Sequence, residues 1–192
     1  MRRLALTLLA FAASAGADPA PIQPAATSAG GCLDAGDALL RARLRGAIEA
    51  DLDWHGQALE CEGMPRPDGA GVRVRFRSHL PDGRALAVLF AAGELVPGEV
   101  RDGVPVNVTL LVEDAGEIYG TQGSDRCRLD HVEQREIPSP ASRTRRFRIE
   151  GRGFCFVPAR APHGSSAVLV NRFDFVGRVD VPPVEAPGDS TP

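Results

Sequence analysis

The chain has 192 residues, a formal net charge of −3 and 24% charged side chains, so it is long enough for a proper core and too acidic for bulk nucleic-acid binding. All 22 of its Lys and Arg residues are arginine, which gives every cationic position a planar fork of donors and a permanent charge. Its four cysteines and four histidines show neither Cys-x-x-Cys nor paired-histidine spacing, which argues for disulfides and against a metal or other cofactor.

The chain opens with Met1-Arg2-Arg3, an apolar run from Leu4 to Ala13, and then Ser14-Ala15-Gly16-Ala17. A positive start, a short apolar stretch and small residues at −3 and −1 are the pattern of a secretory signal peptide over residues 1–17, cleaved after Ala17. The run is far short of the roughly 20 apolar residues needed to cross a bilayer, and no later stretch reaches that length, so no transmembrane segment is expected. Export to the periplasm or the medium follows. Residues 18–31, rich in Pro, Ala, Gln, Thr, Ser and Gly, read as a flexible lead-in.

From Asp34 to Leu52, the apolar residues Ala38, Leu39, Ala42, Leu44, Ala47, Ile48 and Leu52 trace a stripe near helical spacing. Asp34 or Asp37 is a candidate cap, so an N-terminal α-helix is expected here, with Gly46 as its weak point. Beyond Trp54 the pattern turns to β. Val72, Val74 and Phe76 alternate with Arg73, Arg75 and Arg77, Pro81-Asp82-Gly83 makes a turn, and a covered strand follows to Ala92. Further strands are expected at Val104 to Glu113, Glu117 to Thr121, Arg145 to Glu150 and Phe154 to Val157, the last two parted by Gly151 and Gly153. Arg126 to Ile137 fits a strand or a short helix. Ala167 to Val181 is a long run with a bend, and residues 182–192 form a disordered tail. The expected fold is therefore mainly β: one domain over residues 32–181, an antiparallel sandwich or barrel-like sheet with the N-terminal helix packed on it.

Four cysteines permit three pairings. Locality favours Cys32 with Cys61 and Cys127 with Cys155.

Arg73, Arg75 and Arg77 share one strand face, and Arg146, Arg148 and Arg152 share a parity with Thr144 and Glu150 on another. Set in one sheet, these rows would make a basic stripe for an anionic glycan, a lipid headgroup or another polyanion. The competing expectation is a solvated face on which Asp and Glu neutralise the arginines across the strands. Trp54 and Tyr119 are candidates to stack sugar rings, or else core anchors. Asp174, between Phe173 and Phe175, is a candidate acid of raised pKa or a structural ion. There is no Gly-x-Ser-x-Gly, phosphate-cradling loop or dinucleotide fingerprint. The leading expectation is an exported, non-enzymatic binding or accessory module of the periplasm or cell envelope, with an anionic glycan or a protein as partner. The alternative is a small secreted hydrolase whose site is assembled in three dimensions.

Overall fold

The computed structural model describes residues 32–33, 36–123, 126–141 and 143–183; the expected signal peptide (1–17), the expected lead-in up to residue 31 and the expected tail from 184 onward lie outside the described residues. The strands are β1 (Leu39–Gly46), β2 (Ala50–His55), β3 (Glu60–Pro65), β4 (Val72–His79), β5 (Ala85–Ala92), β6 (Arg101–Val112), β7 (Glu117–Gly120), β8 (Cys127–Ile137), β9 (Arg145–Cys155), β10 (Ala159–Arg160) and β11 (Ala167–Val181). All belong to one antiparallel sheet, and a 3-10 turn at Gly56–Ala58 joins β2 to β3. Among the described residues, no helix is long and apolar enough to cross a membrane.

The helix expected from Asp34 to Leu52 is not seen; its described residues fold as the β1–β2 hairpin. The physical reason is a period of two that the looser helical stripe concealed. Ala38, Leu40, Ala42 and Leu44 are buried in alternation, and Ile48, Ala50, Leu52 and Trp54 continue it. Between them Arg41 faces Asp53 and Arg43 faces Asp51 across the ladder, so the charges that resembled a solvated helix face are cross-strand pairs. Gly46, at φ 116°, takes the chain into the turn. Arg126 to Ile137 resolves as strand β8. The two short strands expected around Gly151 and Gly153 are one strand, β9, because both glycines pair fully in the ladder.

The strands run in the order β2-β1-β11-β9-β8-β6-β5-β4-β3. β10 continues β9 beside β11, and β7 continues β8 beside β6. The sheet does not lie flat. Phe76 of β4 and Phe90 of β5 meet Phe173 and Phe175 of β11, with ring centroids 4.7 Å apart for Phe90–Phe173, 4.9 Å for Phe90–Phe175 and 5.5 Å for Phe76–Phe175. β4 and β5 are far from β11 in the ladder, so these contacts require the sheet to curl over its own core. Each such ring pair contributes about 1 kcal/mol beyond the area it buries. The curl also brings β3 against the C-terminal half of β11: a Cβ at Gly63 would run into the Arg178 carbonyl oxygen and meet a Val179 methyl at 3.0 Å.

Both disulfides have the local pairing, Cys32–Cys61 and Cys127–Cys155. The first ties the start of the described chain to β3. The second joins directly paired residues of β8 and β9, where both strands break before continuing as β7 and β10.

Candidate functional site: an arginine-lined groove over two bulges

On the outer face, two strands slip register close to one another. In the β1–β11 pair, Ala42 faces Phe173 and Leu44 faces Val170, so Arg43 opposes two residues, Asn171 and Arg172, both exposed. In the β8–β9 pair, Leu129 faces Gly153 while His131 faces Arg152, which leaves Asp130 as the extra residue. A bulge bends its strand and re-aims side chains, and two of them here shape the surface into a ridge with a depression on each flank. One depression, of ≈ 490 Å³, is lined by Arg41, Arg43, Asp51, Asn171, Arg172 and Asp174. The other, of ≈ 380 Å³, includes Asp130, Arg152, Phe154, Asn171, Arg172 and Asp174.

The register places the side chains in rows across the strands. Phe154 lies directly between Arg128 and Arg172. The next row runs His131, Arg152, Asp174, Arg41, Asp53. At the β2 end of this face the charges are matched. Arg41 Nε donates to Asp53 Oδ1 at 2.9 Å, a bond that raises the guanidinium's pKa and lowers the carboxyl's, and Arg43 lies 3.6 Å from Asp51. At the other end Arg128, Arg152 and Arg172 make neither an ion pair nor a side-chain hydrogen bond to a described residue, although all three are exposed. Beside them Phe154 meets Phe156 edge to face at 4.7 Å, and Phe156 is 58% exposed. The Cys127–Cys155 disulfide and a bond from the Phe156 amide to the Arg126 carbonyl at 2.8 Å fix the base of this aromatic pair.

The arginines singled out by the sequence sit elsewhere and in different company. Arg73, Arg75 and Arg77 line the outer face of β4, while Arg146 and Arg148 are on β9, with β8, β6 and β5 between them in the ladder. Glu113 Oε1 accepts from Arg75 at 2.8 Å and its Oε2 from Arg77 at 2.7 Å, with Glu60 completing Arg77 at 3.0 Å. Arg73 reaches Met64 Sδ at 2.9 Å. Arg146 pairs with Asp180 at 2.7 Å, and Arg148 with Glu150 at 2.7 Å and with Asp37. Four of the five therefore serve ion pairs, and those of Arg75, Arg77 and Arg146 reach a neighbouring strand.

Other candidates also resolve. Trp54 is buried and its Nε1 donates to the His79 carbonyl at 3.2 Å, tying β2 to the end of β4. Tyr119 is buried, its hydroxyl bonded to Glu117 at 3.1 Å. Neither offers a face to a sugar. Asp174 is exposed between Arg41 and Arg152, rather than enclosed by its two phenylalanine neighbours, which point inward. His131 Nδ1 is 2.6 Å from Asp102. The residues of this face that the sequence reading assigns to no site are Arg128, Phe154, Phe156, Asn171 and Arg172, whereas Arg152 belongs to the row it draws with Arg146 and Arg148. The signal that marks them is a change of parity. Buried residues of β11 fall on even numbers at Val168 and Val170, then on odd ones at Phe173 and Phe175; in β8 they pass from Cys127 and Leu129 to Val132 and Gln134. Each slip marks a bulge.

No protein-family model matches this chain, and neither a curated protein nor a solved structure matches it.

Proposed function

We propose that this protein is an exported, non-enzymatic binding module of the periplasm or cell envelope, a curled, barrel-like β scaffold that presents the groove over Asn171 and Arg172 to an anionic partner. The observation that carries this reading is the trio Arg128, Arg152 and Arg172: three exposed guanidiniums on three adjacent strands, none of them within ion-pair distance of a carboxylate among the described residues. By contrast, carboxylates neutralise Arg75 and Arg77 on β4 and Arg146 and Arg148 on β9. Neighbouring strands are about 4.8 Å apart, so unmatched guanidiniums on adjacent strands repel one another. An incoming anion relieves that repulsion and gains charge-assisted, bidentate hydrogen bonds. The four phenyl rings fill the interior of the curl, so recognition falls to the outer face. Two disulfides support the exported location, since such bonds persist in oxidising compartments, and the signal-peptide pattern of residues 1–17 agrees with it.

The test compares two triple variants of the mature protein by calorimetry at low salt, with polygalacturonate and inorganic polyphosphate as probes. Arg128→Gln with Arg152→Gln and Arg172→Gln is expected to weaken polyanion binding at least tenfold, whereas Arg73→Gln with Arg75→Gln and Arg77→Gln leaves it nearly unchanged. The opposite ranking, or no binding by the parent protein, overturns the proposal.

A further inference from the structure

Resting on that reading, we infer that the anionic partner is an acidic polysaccharide: a sugar chain bearing carboxylates that lies across the strands along the groove and stacks a ring on the Phe154–Phe156 pair. Three properties of the lining lead there.

The first is its mixture of donors and acceptors. A ligand made only of phosphates needs donors alone, and a carboxylate in the wall repels it. Here the guanidiniums of Arg152 and Arg172 share the depressions with Asp130 and Asp174, and Asn171 offers both an amide oxygen and an amide NH₂. A ligand that satisfies such a wall must donate and accept at closely spaced points. Sugar hydroxyls do both, and carboxylates set among them answer the guanidiniums.

The second is the aromatic pair. Phe156 is 58% exposed on a protein whose other phenyl rings are mostly buried, and the disulfide beside it holds its backbone in place. A pyranose presents an apolar C–H face that an aromatic ring desolvates well, whereas polyphosphate has no such face. The carboxylates also set this surface apart from one suited to an anionic membrane, where Asp130 and Asp174 would face a sheet of negative headgroups.

The third is shape. The rows cross β8, β9, β11, β1 and β2, which at about 4.8 Å per strand makes a track of about 19 Å. That length takes a few sugar rings in an extended chain. The charge pattern along it is uneven: arginines unmatched among the described residues lie towards the β8–β9 end, and Arg41 and Arg43, held by aspartates, lie at the β2 end. Ligand carboxylates therefore belong over Arg128, Arg152 and Arg172, with hydroxyls continuing towards Asp174 and β1.

Two single variants separate this assignment from plain polyanion binding. Phe156→Ala removes an exposed side chain, and a thermal melt checks that it folds as the parent does. It is expected to weaken polygalacturonate binding about tenfold and to leave polyphosphate binding unaltered. Asp174→Ala is expected to weaken polygalacturonate several-fold, because hydroxyls lose an acceptor, and to tighten polyphosphate, because a repelling charge is gone. The same calorimetry is run with phosphatidylglycerol vesicles, which are expected not to bind. If polyphosphate or the vesicles bind as tightly as polygalacturonate and Phe156→Ala changes neither, the sugar assignment falls while anion binding at the groove stands. If no polyanion binds and the arginine variant matches the parent, both fall together.

Discussion

Glu113 illustrates how a single side chain decides whether an arginine row is available to a ligand. Its two oxygens accept from Arg77 and Arg75, and its pKa is held below the ordinary 4.5 chiefly by the bond from Arg77, against an opposing push from burial and with further help from Arg75. A carboxyl whose folded pKa is lowered stabilises the protein fully above its unfolded value, and that contribution fades as pH falls through the folded value. Replacing Glu113 with Gln is therefore expected to cost about 1 kcal/mol at neutral pH. Urea titrations of parent and variant should converge as the solution is acidified below about pH 4. A gap that stays constant with pH would mean that shape rather than charge makes the contact. Among the described residues Arg128, Arg152 and Arg172 have no counterpart of Glu113, a difference invisible in a tally of arginines and the one on which the proposed binding role rests.

At the level of the strand, β9 and β11 are built on glycine opposite phenylalanine. Gly151 faces Phe175 and Gly153 faces Phe173 in register, and each ring lies over the bare backbone of its partner. A Cβ at Gly153 would run into the Arg128 carbonyl oxygen and meet the tip of the Phe173 ring at 2.9 Å. Gly153→Ala is thus expected to cost about 3 kcal/mol by overpacking. Gly120→Ala in β7, where the nearest atom is Thr109 Oγ1 at 4.0 Å, should be close to neutral. Equal chemical-denaturation midpoints for the two variants would refute this account of the pairing. These elements also show what was legible in advance. Strict alternation over Val72 to Arg77 gave β4 its register from the residues alone, because one face of that strand is apolar and the other arginine. The β1–β2 hairpin was obscured because Leu39 and Ala47 add apolar residues off the alternating face, and seven apolar positions then fit a looser helical stripe. The groove was harder still. Its residues lie on five strands, several of them joined by ladders between distant parts of the chain, and only the parity slips at Asp130 and at Asn171–Arg172 hinted that the surface bends there. Which arginines lack a partner depends on which strands are neighbours, and spacing in one chain does not supply that.

Across the whole molecule, stability rests on the curl that brings β4 and β5 over β11 and on two covalent ties. The Cys127–Cys155 bond closes a loop with a sequence separation of 28, worth about 3 kcal/mol in the chain-entropy account. Replacing both cysteines with serine is expected to lower the melting temperature by about 10 °C, as scanning calorimetry would register. An unchanged melting temperature would mean that the paired strands alone hold this corner. The order of the strands has a consequence in time. β1, the first described strand, finds its long-range partner in β11, the last, with Leu39 opposite Val176. A ribosome or an export channel delivers residues from one end, so the β1–β2 hairpin emerges early and then waits, one edge open, for nearly all the described chain. Until β11 arrives, neither that hairpin nor the four-ring core has its other half. Half-delivered chains therefore carry unpaired strand edges, the condition in which aggregation competes with folding, and the sheet is completed only once its last strand is free to join its first.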